Sequence, residues 1–86
     1  MNINELIAIV KKKLLASIKI EDLKIEDKSF LHKNHSGNQL GKYHLKITIK
    51  SKELNQMSKI DKNKKIYKLL NEEIKQFIHS LQILIS

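Results

Sequence analysis

The chain has 86 residues, with seventeen lysines and no arginine against nine carboxylates, a formal charge of +8, four histidines, two glycines, and neither cysteine nor proline. That length supports one small domain, residues 1–86, with a single core and no room for a second. Without cysteine the chain by itself excludes a disulfide, a zinc knuckle, a cysteine-bound cluster and a thiol nucleophile, so any metal held here needs imidazole, carboxylate or a partner's thiols.

Asn2 followed by Glu5 forms a capping-box pattern, and Ile3, Ile7, Val10 and Leu14 then mark one helical face, which predicts a first helix over about 3–16. Lys11, Lys12 and Lys13 fall beside or opposite that stripe and read as a solvated face. From Leu23 to Lys28, apolar Leu23 and Ile25 alternate with Lys24 and Glu26, the period of a strand covered on one face. The segment SFLHKNHSGNQLGK holds both glycines together with Asn, Ser and two histidines, and reads as a loop. YHLKITIKS then sets Leu45, Ile47 and Ile49 against His44, Lys46, Thr48 and Lys50, a second amphipathic strand.

SKELNQMSK reads as a turn, after which Asp61 caps a helix whose buried stripe is Ile66, Leu69, Leu70, Ile74 and Phe77. Ile78 to Ile85 is apolar except at His79, Ser80 and Gln82, which suits a strand buried on much of both faces. The order α, β, β, α, β predicts an α+β domain: a three-stranded mixed sheet with the helices packed on one face, and strand three parallel to one hairpin strand.

No stretch approaches the roughly 20 apolar residues of a membrane span. Glu5 comes early and the lysines follow the apolar run, the reverse of a secretory signal, so a cytoplasmic chain is expected. The +8 charge attracts phosphate, but the absence of arginine removes the bidentate fork used to read guanine. A codon bias toward A and T would enrich Lys, Ile and Asn together and raise basicity without selection for phosphate binding.

No P-loop, dinucleotide fingerprint, metalloprotease His pair or nucleophile elbow is present. Adjacent Glu72 and Glu73 point about 100° apart on a helix and form no facing acid and base pair, so an enzyme is not expected. The histidines remain. His32 and His35 share the loop at a spacing that could meet one metal. His44 falls on the polar face of its strand and reads as exposed. His79 shares strand parity with Leu81, Ile83 and Ile85, yet as an early strand residue it sits at the sheet's end, where an imidazole can be anchored to a rigid scaffold and still face outward.

The sequence resembles the BolA-like family over nearly its whole length, through EDKSFLH, YHLKITIKS, IYKLLNEEI and IHSLQI taken in that order and spacing. The resemblance implies a class II KH-like fold. It also implies a non-enzymatic partner of a monothiol glutaredoxin, sharing a 2Fe-2S cluster with it and with glutathione in iron-sulfur assembly or iron regulation. Carried over by position, the ligands on this chain are His79 and His32, with His35 as the competitor for the second place. Imidazole in place of thiolate raises a cluster's potential and makes it sensitive to pH. A homodimer of the apo form stays open.

Two departures bear on an alternative role. The family's Arg-His-Arg at the start of the second helix is replaced by Lys62, Asn63 and Lys64, and its Phe-x-Gly after strand two by Leu54 and Gln56. The alternative is a nucleic-acid-binding transcriptional regulator with a basic helix-turn-helix-like surface made of Lys59, Lys62, Asn63, Lys64, Lys65 and Lys68. No Gly-x-x-Gly loop of the RNA-gripping kind is present to support it.

Overall fold

In the computed structural model the described residues are 1–29 and 42–86. They form α1 (Ile3–Ser17), β1 (Asp22–Asp27), β2 (Tyr43–Lys50), α2 (Lys52–Asn55), α3 (Lys59–Leu69), α4 (Asn71–Gln76) and β3 (Ile78–Ile85). The sheet order is β1-β2-β3, with β1 antiparallel to β2 and β3 parallel to it. This is the small α+β domain with a three-stranded mixed sheet expected from the sequence. No helix among the described residues is long and apolar enough to cross a membrane.

The first helix starts where the capping pattern places it. Glu5 N donates to Asn2 Oδ1 at 2.8 Å, and Asn2 Nδ2 donates back to Glu5 Oε1 at 3.1 Å. Its buried face is Leu6, Val10 and Leu14, a strict four-residue repeat, with Ile3 and Ile7 only half-buried. The core joins these to Ile18, Leu45, Ile47, Ile49, Leu54, Ile66, Leu70 and Ile78. Burial of that aliphatic surface is what holds the helices against the sheet.

Four expectations are corrected. The segment read as a turn contains the one-turn helix α2, capped by Ser51, whose Oγ accepts from Leu54 N at 3.1 Å and donates to the Lys19 carbonyl at 2.7 Å. The cap of α3 is Ser58 rather than Asp61: Asp61 N donates to Ser58 Oγ at 3.1 Å, which makes Asp61 a first-turn acid. The single long helix is two, α3 and α4, divided at Leu70 with φ −102° and ψ 15°. Lys13 does not belong to a purely solvated face, because its Nζ donates to both carboxylate oxygens of the buried Glu73, at 2.9 and 2.8 Å, and so ties α1 to α4.

The last strand also differs from its expected burial. It lies at an edge of the sheet, and Ser80, Gln82 and Leu84 are exposed while Leu81, Ile83 and Ile85 are half-buried against the core. An edge strand covered on one face can carry an apolar run as long as that of a strand covered on both, so hydropathy alone does not separate them.

Candidate functional site

β1 ends, β2 begins and β3 begins at the same end of the sheet, because Asp27 pairs with Leu45 and Ile78 pairs with Tyr43. The chain turns at this end through an Asx contact, with Ser29 N donating to Asp27 Oδ1 at 2.9 Å. Ser29 Oγ then accepts from His44 N at 3.0 Å, and Lys28 N donates to the His44 carbonyl at 2.7 Å, so the backbone of His44 is held from the β1 side.

On its other side β2 meets a register shift. Tyr43 pairs with Ile78, but His44 pairs with Ser80, which leaves His79 as an extra residue in β3. A bulge of this kind breaks the period of two and re-aims the side chain at the break. Ile78 is buried and Leu81 faces the core opposite Leu45, so the inward positions on β3 are three residues apart across the bulge. His79 is therefore out of parity with Leu81, Ile83 and Ile85, contrary to the expectation from spacing, and its side chain is exposed.

His44 is the second correction at this end. It is only 6 % exposed, although it lies on the face of β2 that carries Lys46 and Thr48. Its Nδ1 shares a 2.6 Å hydrogen bond with Ser80 Oγ, and its ring lies 5.0 Å from that of His79 between centroids, tilted by 55°. The pair thus has distinct roles: His44 is fixed by strand neighbours, and His79 rests against it with its ring open to solvent. From the sequence His44 reads as exposed, and Ser29 and Ser80 have no part in the site. The only signal for them is that β2 and β3 each carry a histidine as their second residue, and the bulge that unites them leaves no mark in the pattern.

Among the remaining residues singled out from the sequence, His32 and His35 lie outside the described residues. Among the described residues no three side chains of His, Cys, Asp or Glu come together to hold a metal ion. The basic set on α3 is divided by the fold. Lys59, Lys62 and Asn63 line a cavity of about 330 Å³ together with Ile83, Leu84 and Ile85 of β3, and Asn63 Nδ2 donates to the Lys59 carbonyl at 2.8 Å. Lys64 and Lys68 are exposed, and Lys65 is 3.6 Å from Glu53.

Two charged groups, one carboxyl and one ammonium, are shifted by their partners. The Glu26 carboxyl is held below its ordinary range, first by the hydrogen bond with Lys28 and further by Lys24 and Lys46. The Lys13 ammonium is held above its ordinary range, chiefly by the hydrogen bond with Glu73.

Comparison with known proteins agrees with this architecture. Residues 14–86 match the family described as BolA-like protein. The chain is 32 % identical over 75 residues to the DNA-binding transcriptional regulator BolA of Haemophilus influenzae, an alignment covering 87 % of this chain and 70 % of that protein. Among solved structures it is similar to the BolA domain of SufE1 from Arabidopsis thaliana, with TM-score 0.77, 26 % identity and coverage of 100 % of this chain and 93 % of that one. It is also similar to BolA1 from the same plant, with TM-score 0.76, 28 % identity and coverage of 92 % and 87 %. The fold and the site define a small α+β domain with a three-stranded mixed sheet. The chain belongs to the BolA-like family.

Proposed function

We propose that this protein is a non-enzymatic accessory chain that pairs with a monothiol glutaredoxin and lends it an imidazole ligand for a shared 2Fe-2S cluster. The observation that supports this reading is the exposed His79 ring, set at a bulge on a rigid strand end and backed by the buried His44. Among the described residues no hydrogen bond occupies a His79 ring nitrogen, so a nitrogen lone pair fits the place of a ligand. The rest of the ligand set suits a shared site, because the chain has no thiol of its own and its described residues gather no metal-holding cluster. The second nitrogen on this chain would come from His32, with His35 as its competitor, and the sulfur donors from the glutaredoxin and glutathione. When bound, such a cluster supplies one-electron chemistry at a potential raised by nitrogen ligation.

This chain's own part is positional. The Ser80 to His44 bond fixes the ring under His79, the parallel pairing with β2 fixes the strand that carries it, and the exposed face admits a partner. Visible circular dichroism of cluster-loaded glutaredoxin, recorded as the apo chain is added, tests the reading. A changed spectrum that His79→Ala abolishes supports it; an unchanged spectrum, or one that His79→Ala leaves as in the wild type, rejects it.

A second reading has its own support in the name of the Haemophilus influenzae relative, a DNA-binding transcriptional regulator, and in the exposed Lys64 and Lys68 of α3. In it the outer face of α3, with Lys59 and Lys62 at its start, lies along a phosphate backbone. A DNA titration at two salt concentrations measures it: a steep salt slope with sequence preference supports regulation, and equal weak binding to every sequence leaves only generic charge attraction.

A further inference from the structure

The two edges of the sheet are built differently. β1, at one edge, carries Asp22, Lys24, Glu26 and Asp27 along six residues. β3, at the other, runs eight residues, IHSLQILI, with no carboxylate, ammonium or proline. Charge on an edge strand discourages further pairing, and β3 has none. Its backbone is also aimed outward at defined places. Ser86 turns both groups to β2, its N–H donating to the Ile49 carbonyl at 2.8 Å and its carbonyl accepting from Ser51 N at 3.0 Å. Alternate residues of a strand turn to opposite sides, so Leu81, Ile83 and Ile85 direct their N–H and C=O away from β2. No strand among the described residues pairs with that side.

Beside this edge lies the cavity of about 330 Å³ between β3 and the first turns of α3, with Ile83, Leu84 and Ile85 on one wall and Lys59, Lys62 and Asn63 on the other. It is of a size to receive side chains rather than a large cofactor. Leu84 is 45 % exposed on that strand. The edge therefore offers a ladder of donors and acceptors, an aliphatic wall and two ammonium groups side by side.

We propose that this edge takes up an extended segment of a partner protein that carries aliphatic and acidic side chains on the same face, added to β3 as a fourth strand. The main chain of the segment pairs with Leu81, Ile83 and Ile85, and on the face turned to the cavity its aliphatic side chains meet the β3 wall while its carboxylates meet Lys59 and Lys62. The charge pattern selects this occupant. A second copy of β3 brings no carboxylate and sets another Lys59 and Lys62 beside the first pair, in chains that each carry +8. A single-stranded nucleic acid would satisfy the lysines, but among the described residues no aromatic ring lines the cavity to stack a base, and paired N–H and C=O groups at every second residue match a peptide. The site is independent of the cluster reading: at a strand rise of 3.3 Å, Leu84 stands roughly 16 Å along β3 from His79, so both ends can be occupied together.

The test is an amide-shift titration of the labelled full chain with a capped octapeptide that carries valine and glutamate in turn at every second position, with threonine between them. It is run beside the same peptide N-methylated at alternate residues, a lysine and valine counterpart, and an oligothymidylate of eight nucleotides. The expected result is that the acidic peptide shifts the Leu81, Ile83 and Ile85 amides, that methylation of the pairing edge weakens binding by about tenfold or more, and that the lysine peptide does not bind. Lys59→Glu with Lys62→Glu should weaken the acidic peptide by a similar factor, while the methylated peptide gives the answer on the unaltered chain. Equal binding of the methylated and plain peptides, no shift up to about 1 mM peptide, or tighter binding of the oligothymidylate to the same amides overturns the proposal. So does sedimentation showing the free chain already dimeric through β3.

Discussion

The imidazoles of His44 and His79 meet at 5.0 Å between ring centroids although they stand on different strands and out of register with one another. Ile78 and Leu81 both face the core, and the inserted residue in β3 lets both His79 and Ser80 between them stay outside it. There His79 leans on a neighbour whose own ring is fixed by Ser80. The rigid half and the open half of this end of the sheet are thus contributed by two residues of the same type.

Ser80→Ala should therefore act on His79 without unfolding the chain. The 2.6 Å bond to His44 is lost, at a cost of about 1 kcal/mol in urea unfolding. The His44 and His79 ring resonances should both shift, while the amides of α1 stay in place. A variant with unchanged His79 ring resonances would show that the ring contact does not hold that side chain.

Lys13 and Glu73 set an alkaline limit on stability. The Lys13 ammonium titrates above its ordinary value of 10.5 in the folded chain, chiefly through its hydrogen bond with Glu73. A raised folded-state value means the stabilisation is fully present below that ordinary value and is lost as pH rises through the folded-state one. Lys13→Met should lower the unfolding midpoint at neutral pH, and the gap from wild type should close above about pH 10.5. Replacing both partners, Lys13→Met with Glu73→Leu, should recover much of the loss, since the buried carboxylate is no longer left unpaired. Circular dichroism melts across pH measure both effects.

Glu26 sets the matching acid limit. Its carboxyl is held below the ordinary 4.5, first by its hydrogen bond with Lys28. A depressed value stabilises the fold above 4.5 and the effect is lost as pH falls through the folded-state value. Glu26→Gln should melt below wild type at neutral pH and converge with it in acid, as followed by thermal melts. Both residues are partly open to water, so each effect should shrink with added salt.

The sequence made the fold legible wherever side-chain period decides the structure. Alternation in β2 and the aliphatic stripe of α3 gave both elements and their share of the core, because a buried face repeats at every second or every third to fourth residue. It was silent on the bulge at His79 and on the break at Leu70. A single inserted residue flips parity with no change in composition, and a residue with ψ 15° leaves Ile66, Leu70 and Ile74 at helical spacing on both sides. His44 was misplaced for a related reason. Alternation assigns it to the polar face correctly, but it is buried there and meets Ser80 and His79 of a neighbouring strand, contacts that no local pattern encodes.

The start of α3 offers a direct measure of local against tertiary encoding. Two residues compete for the cap: Asp61, favoured by its place before the apolar stripe, and Ser58, whose Oγ accepts from Asp61 N at 3.1 Å. Loss of a cap hydroxyl leaves a helix N–H without its acceptor, so Ser58→Ala should cost about 1 kcal/mol in denaturant unfolding. Asp61→Asn keeps the cap bond and removes only a charge near the helix's positive end, and should cost no more than about half as much. The order of the two costs, not their absolute size, decides the matter. If Asp61→Asn were the more damaging variant, the carboxylate and not the serine would be what starts the helix, and the lysines that follow it on the cavity wall would owe their placement to charge rather than to the cap.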